Sequence, residues 1–372
     1  MPGEPLPPNT YSGLEKAAYN TCLSLESLLD WSEKVSDEVR TSKRTPQLCG
    51  RLLGYMMLEA PTPQGRLNVA REIQICLLAS DTQDRFAGLA QFYDLHFIRV
   101  FKAAKGATPA VSTPPSRSSI DLIAEQMDRL LEEAPQDHRA AKLLCLVRDN
   151  YRCVVTGRYD AATDRSKYLE DKTFVPPTPI APTKLAHITA ESTYSNIKGG
   201  TSLFSSDENC PSPRSYAASV WAVLDHFGKV GVVDHQLNEG GIHRLQNVMT
   251  MSLDAHIFFN ALEIWFKEIG ADRYRLCAQR DSVLTALGVD INNPVIQLAT
   301  TDAGLPLPDP RLLSLHATCA KVAHLSGAGE YIDAILRDLE ELKLLASDGG
   351  SAHVLQDALL QWQASRCSLE CP

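Results

Sequence analysis

The fourteen residues from Asn247 to Asn260 set a strand directly before a helix. Val248–Met249–Thr250–Met251 reads as a short strand, and Ser252 can N-cap a helix from Leu253 onward. Upstream, the extended segment Lys184–Leu185–Ala186–His187–Ile188 is a candidate partner strand. If the two strands pair, the helix must fold back across them. His256 and Asn260 are four residues apart on that helix, so they share a face. The His187 imidazole, the Asn247 amide and two helix-borne side chains then converge in a strand–strand–helix cleft.

Such a set suits phosphodiester hydrolysis. A neutral imidazole with an ordinary pKa near 6.5 can take a proton from water at about pH 7. A divalent ion beside it would stabilise charge on the phosphoryl and leaving oxygens. Imidazole plus carboxamide is a mixed ligand set, compatible with Mg²⁺, Mn²⁺ or Zn²⁺.

Around this segment the chain reads as helical. Tyr11–Val35 carries apolar residues at helical spacing, Thr62–Pro63 makes a cap and first turn for Gln64–Leu78, and Asp81–Lys102 gives another stripe. Lys105–Ser119 is rich in Pro, Ser and Thr and reads as a linker. Helical patterns resume over Ile120–Glu133 and His138–Asp149. Cys153–Gly157 reads as a short strand ending in a turn, and Val175–Pro182 as extended chain. Tyr216–Phe227 reads as a short amphipathic helix. Leu262–Ile269 and Tyr274–Ala278 alternate as a hairpin about Gly270–Ala271–Asp272. Asp309–Pro310 caps a helix over Arg311–Leu325 that Gly327 stops, and Glu330–Leu345 and His353–Trp362 show further stripes. The expected division is a helical region at 1–104, a linker at 105–119, a chemistry-bearing region at 120–280, and a helical region at 281–372.

Composition narrows the classes. The 372 residues are 44% apolar and 22% charged, which excludes a fibrous or wholly disordered chain. The net charge is 36 − 45 = −9, against a protein that coats nucleic acid by bulk charge. Between His138 and Lys184, however, nine Lys/Arg face five Asp/Glu, a local excess of +4 that would suit a phosphate backbone. No apolar run reaches the ~18 residues a membrane span needs, and the polar, Pro-rich start shows no secretory signal. Ten cysteines without a C-x-x-C pair read as reduced, buried thiols. The expectation is an intracellular protein, nuclear or cytoplasmic, with no membrane partner. P-loop, G-x-G-x-x-G, G-x-S-x-G, H-E-x-x-H and zinc-finger spacings are all missing.

The ordered set Tyr151–Arg–Cys–Val–Val–Thr–Gly157, Ala186–His187–Ile188 and Asn247 through His256 to Asn260 resembles the HNH nuclease family. It is most similar to the variant in which a C-x-V-T-G turn replaces the zinc-binding cysteine pairs. The resemblance covers roughly 148–278, and Leu305–Arg311 through His324–Gly327 is similar to the tail such proteins carry. It implies an α+β protein with a central ββα-metal module, an insertion at 189–246, and helical flanks. It further implies a metal-dependent endonuclease acting on DNA. His187 would be the general base, Asn247 the residue holding the strand-connecting loop and the base, and His256 and Asn260 the metal ligands. The implied cofactor is a divalent ion, with Mg²⁺ or Mn²⁺ favoured and Zn²⁺ compatible.

The sequence departs from the family pattern at two ligand positions. Ala186 stands where many members carry an Asp or His ligand, and Asn260 where His or Asp is usual. Two other readings stay open: a degenerate module of this fold that binds nucleic acid or protein without cleaving, and an interaction protein whose helical flanks carry the function. Cys153 and Gly157 read as structural. His226, His235 and His243 fall in the insertion and read as surface or helix-end histidines. Glu191 is a candidate replacement carboxylate, and His316 and His324 read as packing residues.

Overall fold

The computed structural model describes residues 3–102, 138–189, 223–224, 226–228 and 243–341. The expected linker at 105–119, the helix at 120–133, the helix at 353–362, most of the insertion, and Glu191 and His235 lie outside these residues. The described chain is α+β, with three small sheets among its helices. It divides into two compact units that are not consecutive in sequence. One takes 3–100, 223–228 where described, and 318–341. The other takes 101–102, 138–189 and 243–317. The sequence-based division at 280/281 instead follows chain order.

The first unit is helical. Helix α1 (Gly13–Glu26) buries Ala18, Tyr19, Cys22 and Leu25, one face at helical spacing. It is shorter than the expected Tyr11–Val35. A brief α2 (Asp37–Thr41) follows, capped by Ser36. Helix α3 (Pro46–Leu58) is capped by Thr45 and buries residues on nearly every side, so it presents no single apolar stripe to read. Gly50 lets α3 approach α1: a Cβ there would sit 2.7 Å from the Cys22 carbonyl oxygen. Helix α4 (Pro63–Leu77) starts as Thr62–Pro63 predicts, the Thr62 hydroxyl accepting from the Gly65 N–H. Helix α5 (Thr82–Tyr93) runs into a π-helical turn at Asp94–Ile98. There the buried Asp94 carboxylate meets Arg44 at 2.7 Å and Arg99 at 3.3 Å.

Past 101–102, the first described helix of the second unit is α6 (His138–Arg148), which buries Ala141, Leu144 and Cys145. Asn150 and Tyr151, both at positive φ, turn the chain sharply. Cys153–Gly157 is a turn and not the expected strand: only Arg152 bridges to Tyr159, and Gly157 sits at φ +66°. The buried Cys153 thiol accepts from the Thr156 N–H and donates to the Ser252 hydroxyl, so it holds that turn from inside. Strand β1 (Tyr159–Asp160) leads into α7 (Ala161–Glu170), capped by Asp160, and pairs in parallel with β2 (Ile180–Ala181).

Strand β3 (Thr183–His187) pairs antiparallel with β4 (Val248–Ser252), with His187 opposite Val248 and Thr183 opposite Ser252. Helix α8 (Leu253–Asn260) follows at once; Ser252 is its N-cap residue, although its side chain makes no capping bond. Leu185 and Val248 join Ala141, Leu144, Cys145, Leu245 and Leu305 in one core cluster, so α6 covers that face. Ala186, Met249 and Met251 alternate to the other face and are also fully buried. Helix α8 packs on both strands.

The expected hairpin is present as β5 (Ile264–Gly270) and β6 (Arg273–Ala278). Helix α9 (Asp281–Leu287) and the third strand β7 (Val295–Gln297) extend it. Asp309 caps α10 (Pro310–Ser326), accepting from the Arg311 N–H, and Gly327 at φ +83° ends it. Helix α11 (Ala328–Glu341) closes the described chain. No helix among the described residues is long and apolar enough to cross a membrane.

Candidate functional site

All four expected site residues lie on the β3–β4–α8 unit. His187 ends β3, Asn247 immediately precedes β4, and His256 and Asn260 occupy one face of α8.

Asn247 is fully buried, and its amide is used on the chain just beyond His187. Its Oδ1 accepts from the Thr189 N–H at 3.0 Å and the Thr189 hydroxyl at 2.9 Å. Its carbonyl accepts from the Ile188 N–H at 2.8 Å. Asn247 thus pins the segment leaving β3 to the segment entering β4.

What places Asn247 was missed in the sequence. Arg148, fully buried at the end of α6, donates to the carbonyls of Leu245 at 2.6 Å and Val248 at 2.8 Å. Its charge is met by Asp149 at 2.7 Å, and the other Asp149 oxygen accepts from the Thr250 N–H. One ion pair therefore clamps both sides of Asn247. Both residues belong to the local charge excess read from 138–184, and neither is available to a phosphate. Removing one from each side leaves 8 − 4 = +4, so the local excess survives.

His187 does not stand alone. Its Nε2 lies 3.1 Å from Nδ1 of His243, and the His138 ring centroid is 6.1 Å from its own. Burial pushes the His187 imidazole down to about 3, helped by the nearby His243, His138 and His256. It is therefore neutral at pH 7. His243, expected at the surface of the insertion, belongs to this cluster; its separation in sequence hid the contact. His226 keeps the surface position expected of it.

On α8, the Asn260 amide nitrogen is 3.3 Å from His256 Nε2, so the two side chains meet. Burial and then the Lys184 ammonium hold His256 down at about 4. Lys184 shares a strand face with Ala186, the position at which the resemblance would put a third ligand. Ala186 is fully buried and offers no donor. Among the described residues no group of three His, Cys, Asp or Glu side chains is arranged to hold a metal ion. The donor set therefore fits an ion that takes two protein ligands and fills its remaining positions with water and phosphate oxygens.

No protein-family model, curated protein or solved structure matches the chain.

Proposed function

We propose that β3, β4 and α8 form a ββα module of the HNH nuclease kind, which hydrolyses phosphodiester bonds of DNA. The observation that carries this reading is the antiparallel pairing of β3 with β4. It brings His187, Asn247 and the α8 pair onto one unit, in the order the resemblance implies.

His187 is the general base, taking a proton from the attacking water. In the free chain it is a weak base, because burial and three neighbouring imidazoles oppose its charged form. A bound phosphodiester anion acts in the opposite sense, raising the imidazole toward the range useful at neutral pH. Asn247 keeps the strand ends fixed so that His187 holds its position. His256 and Asn260 would hold the divalent ion, Mg²⁺ or Mn²⁺ by preference and Zn²⁺ also compatible, which supplies positive charge to the leaving oxygen when bound. Exposed Arg139, Arg165 and Lys172 supply the basic surface for the backbone.

A second reading draws on Ala186 and Lys184: a module that binds DNA without cleaving it. The two separate in a supercoiled-plasmid nicking assay with Mg²⁺, Mn²⁺, Zn²⁺ or EDTA, on wild type, His187→Ala and His256→Ala. Metal-dependent nicking lost in both variants supports the nuclease. Salt-sensitive DNA binding by the folded protein, with no nicking under any metal, supports the binding module and overturns the nuclease.

A further inference from the structure

The sheet of β5, β6 and β7 has two unlike faces. On the inner face Ile264, Phe266, Tyr274, Leu276 and Ile296 are buried, and the Phe266 ring meets Phe259 of α8 at 6.1 Å between centroids. The alternate residues form the outer face. There Lys267 lies directly opposite Arg275, Arg275 lies opposite Val295 on its other side, and Arg273 lies opposite Gln297. Lys267, Arg273 and Arg275 are all exposed.

Like charges directly opposite each other weaken a sheet. A neighbouring carboxylate would relieve the repulsion, and the strands supply none on this face. Among the described residues no salt bridge includes Lys267, Arg273 or Arg275. Arg280, just past the open end of the hairpin, does have one, with Glu263 at 3.0 Å. Glu268 stands opposite Tyr274 and so alternates to the inner side. Asp272 lies in the turn before Arg273 and forms no ion pair with it.

The spacing of the three cations narrows what they can hold. Residues opposite each other on antiparallel strands have Cα atoms about 5 Å apart, which sets Lys267 against Arg275. Arg273 is two residues further along β6, about 7 Å away. A row spread this way does not converge on one small anion. It fits a run of anionic groups, as a phosphate backbone offers. The whole chain carries −9, so any attraction for such a polyanion must be local.

We propose that the outer face of the β5–β6–β7 sheet is a contact surface for the DNA backbone, with Lys267, Arg273 and Arg275 each meeting a phosphate. The choice of DNA as the polyanion rests on the nuclease reading; the contact itself needs neither cleavage nor a metal ion. The repulsion between Lys267 and Arg275 is then the stability cost of a face kept open for phosphate.

The test uses the full chain in EDTA and follows the fluorescence anisotropy of a labelled DNA duplex between about 50 and 200 mM salt. The sheet variant is Lys267→Gln/Arg273→Gln/Arg275→Gln. The control, Lys16→Gln/Lys34→Gln/Arg71→Gln, removes three exposed cations of the helical first unit and changes the net charge equally. The sheet variant should bind on the order of 10²-fold more weakly, and its slope of log affinity against log salt should be shallower by about 3. The control should bind as wild type does. The urea midpoint of the sheet variant should equal or exceed that of wild type, since the repulsion is gone, so weaker binding cannot come from unfolding. A sheet variant that binds as wild type does overturns the proposal. So does equal weakening in the control, which would make the effect one of bulk charge, and so does a wild type without salt-sensitive DNA binding. Loss of binding to phosphatidylserine vesicles with DNA binding unchanged would assign the face to a lipid surface and overturn it too. Plasmid nicking with Mg²⁺ or Mn²⁺ separates this proposal from the nuclease reading. Weakened binding by the sheet variant of a protein that never nicks would sustain the surface and remove the nuclease.

Discussion

Asn247 and Thr189 are joined by three hydrogen bonds across the ends of the β3–β4 pair. Asn247 Oδ1 accepts from the Thr189 N–H and hydroxyl, and Asn247 Nδ2 donates to the Thr189 carbonyl at 3.4 Å. Both residues are fully buried. Asn247→Ala would leave the Thr189 N–H and hydroxyl without this acceptor, at a cost of about 1–3 kcal/mol for each buried group left unsatisfied. The expected outcome is a loss of about 2–4 kcal/mol in urea-denaturation stability. A loss below about 0.5 kcal/mol would show that the tie is not structural.

The clamp behind Asn247 is a buried ion pair, and breaking one side of such a pair costs more than its net contribution. Arg148→Met removes the cation, strands the carbonyls of Leu245 and Val248, and leaves Asp149 charged in the interior. The expected destabilisation is about 3–5 kcal/mol. Arg148→Met/Asp149→Leu, which removes both charges, should recover part of it. A double-mutant cycle read by thermal and urea denaturation checks this. Strictly additive losses would overturn the pairing as the source.

The pairing of β3 with β4 and the position of α8 were legible because strand, cap and helix follow one another without a loop. The Thr62–Pro63 and Asp309–Pro310 starts were legible for a similar local reason: capping chemistry lies within four residues of what it caps. Arg148 was not legible, because its burial depends on carbonyls about a hundred residues away in sequence. Nor was His243, whose partner is 56 residues distant. Helix α3 was missed because it is buried nearly all round and shows no polar face. Cys153–Gly157 carries the β-branched residues of a strand, but the Asn150–Tyr151 reversal and the Cys153 thiol bonds fold it into a turn.

Acid should destabilise the protein through its buried histidines. His316 is fully buried, its ring stacked on Phe259 at 3.8 Å and its Nε2–H donating to the Phe259 carbonyl. Burial pushes its pKa down to about 3, and His187 and His256 are lowered in the same sense. The unfolded chain protonates these groups near 6.5 and the folded chain does not. Their contribution is thus intact above about pH 6.5 and is lost progressively as pH falls toward 3–4, at about 1.4 kcal/mol per pH unit for each group. His316→Leu should be less stable than wild type at pH 7, yet lose about 2 kcal/mol less between pH 7 and 5. Urea denaturation at both pH values measures this. Equal losses in the two proteins would place the acid sensitivity elsewhere.

Asn260 gives the most direct handle on the metal question. A neutral amide binds a divalent cation less strongly than a carboxylate does, and the nearby Lys184 ammonium disfavours added positive charge. Placing a carboxylate ligand at Ala186 is not a clean experiment, since that position is fully buried and a carboxylate there would enter the core. Position 260 is half-buried at the end of α8 and tolerates the change. Asn260→Asp puts a negative charge beside His256 Nε2, which strengthens metal binding and offsets Lys184. The Mn²⁺ concentration giving half-maximal plasmid nicking should fall about tenfold, which is about 1.4 kcal/mol of added affinity. Calorimetric titration of Mn²⁺ into the DNA-free protein should show tighter binding in the same direction. If Asn260→Asp leaves both readouts unchanged while the protein remains folded, the α8 pair does not hold the ion, and the metal-ligand roles of His256 and Asn260 fall together.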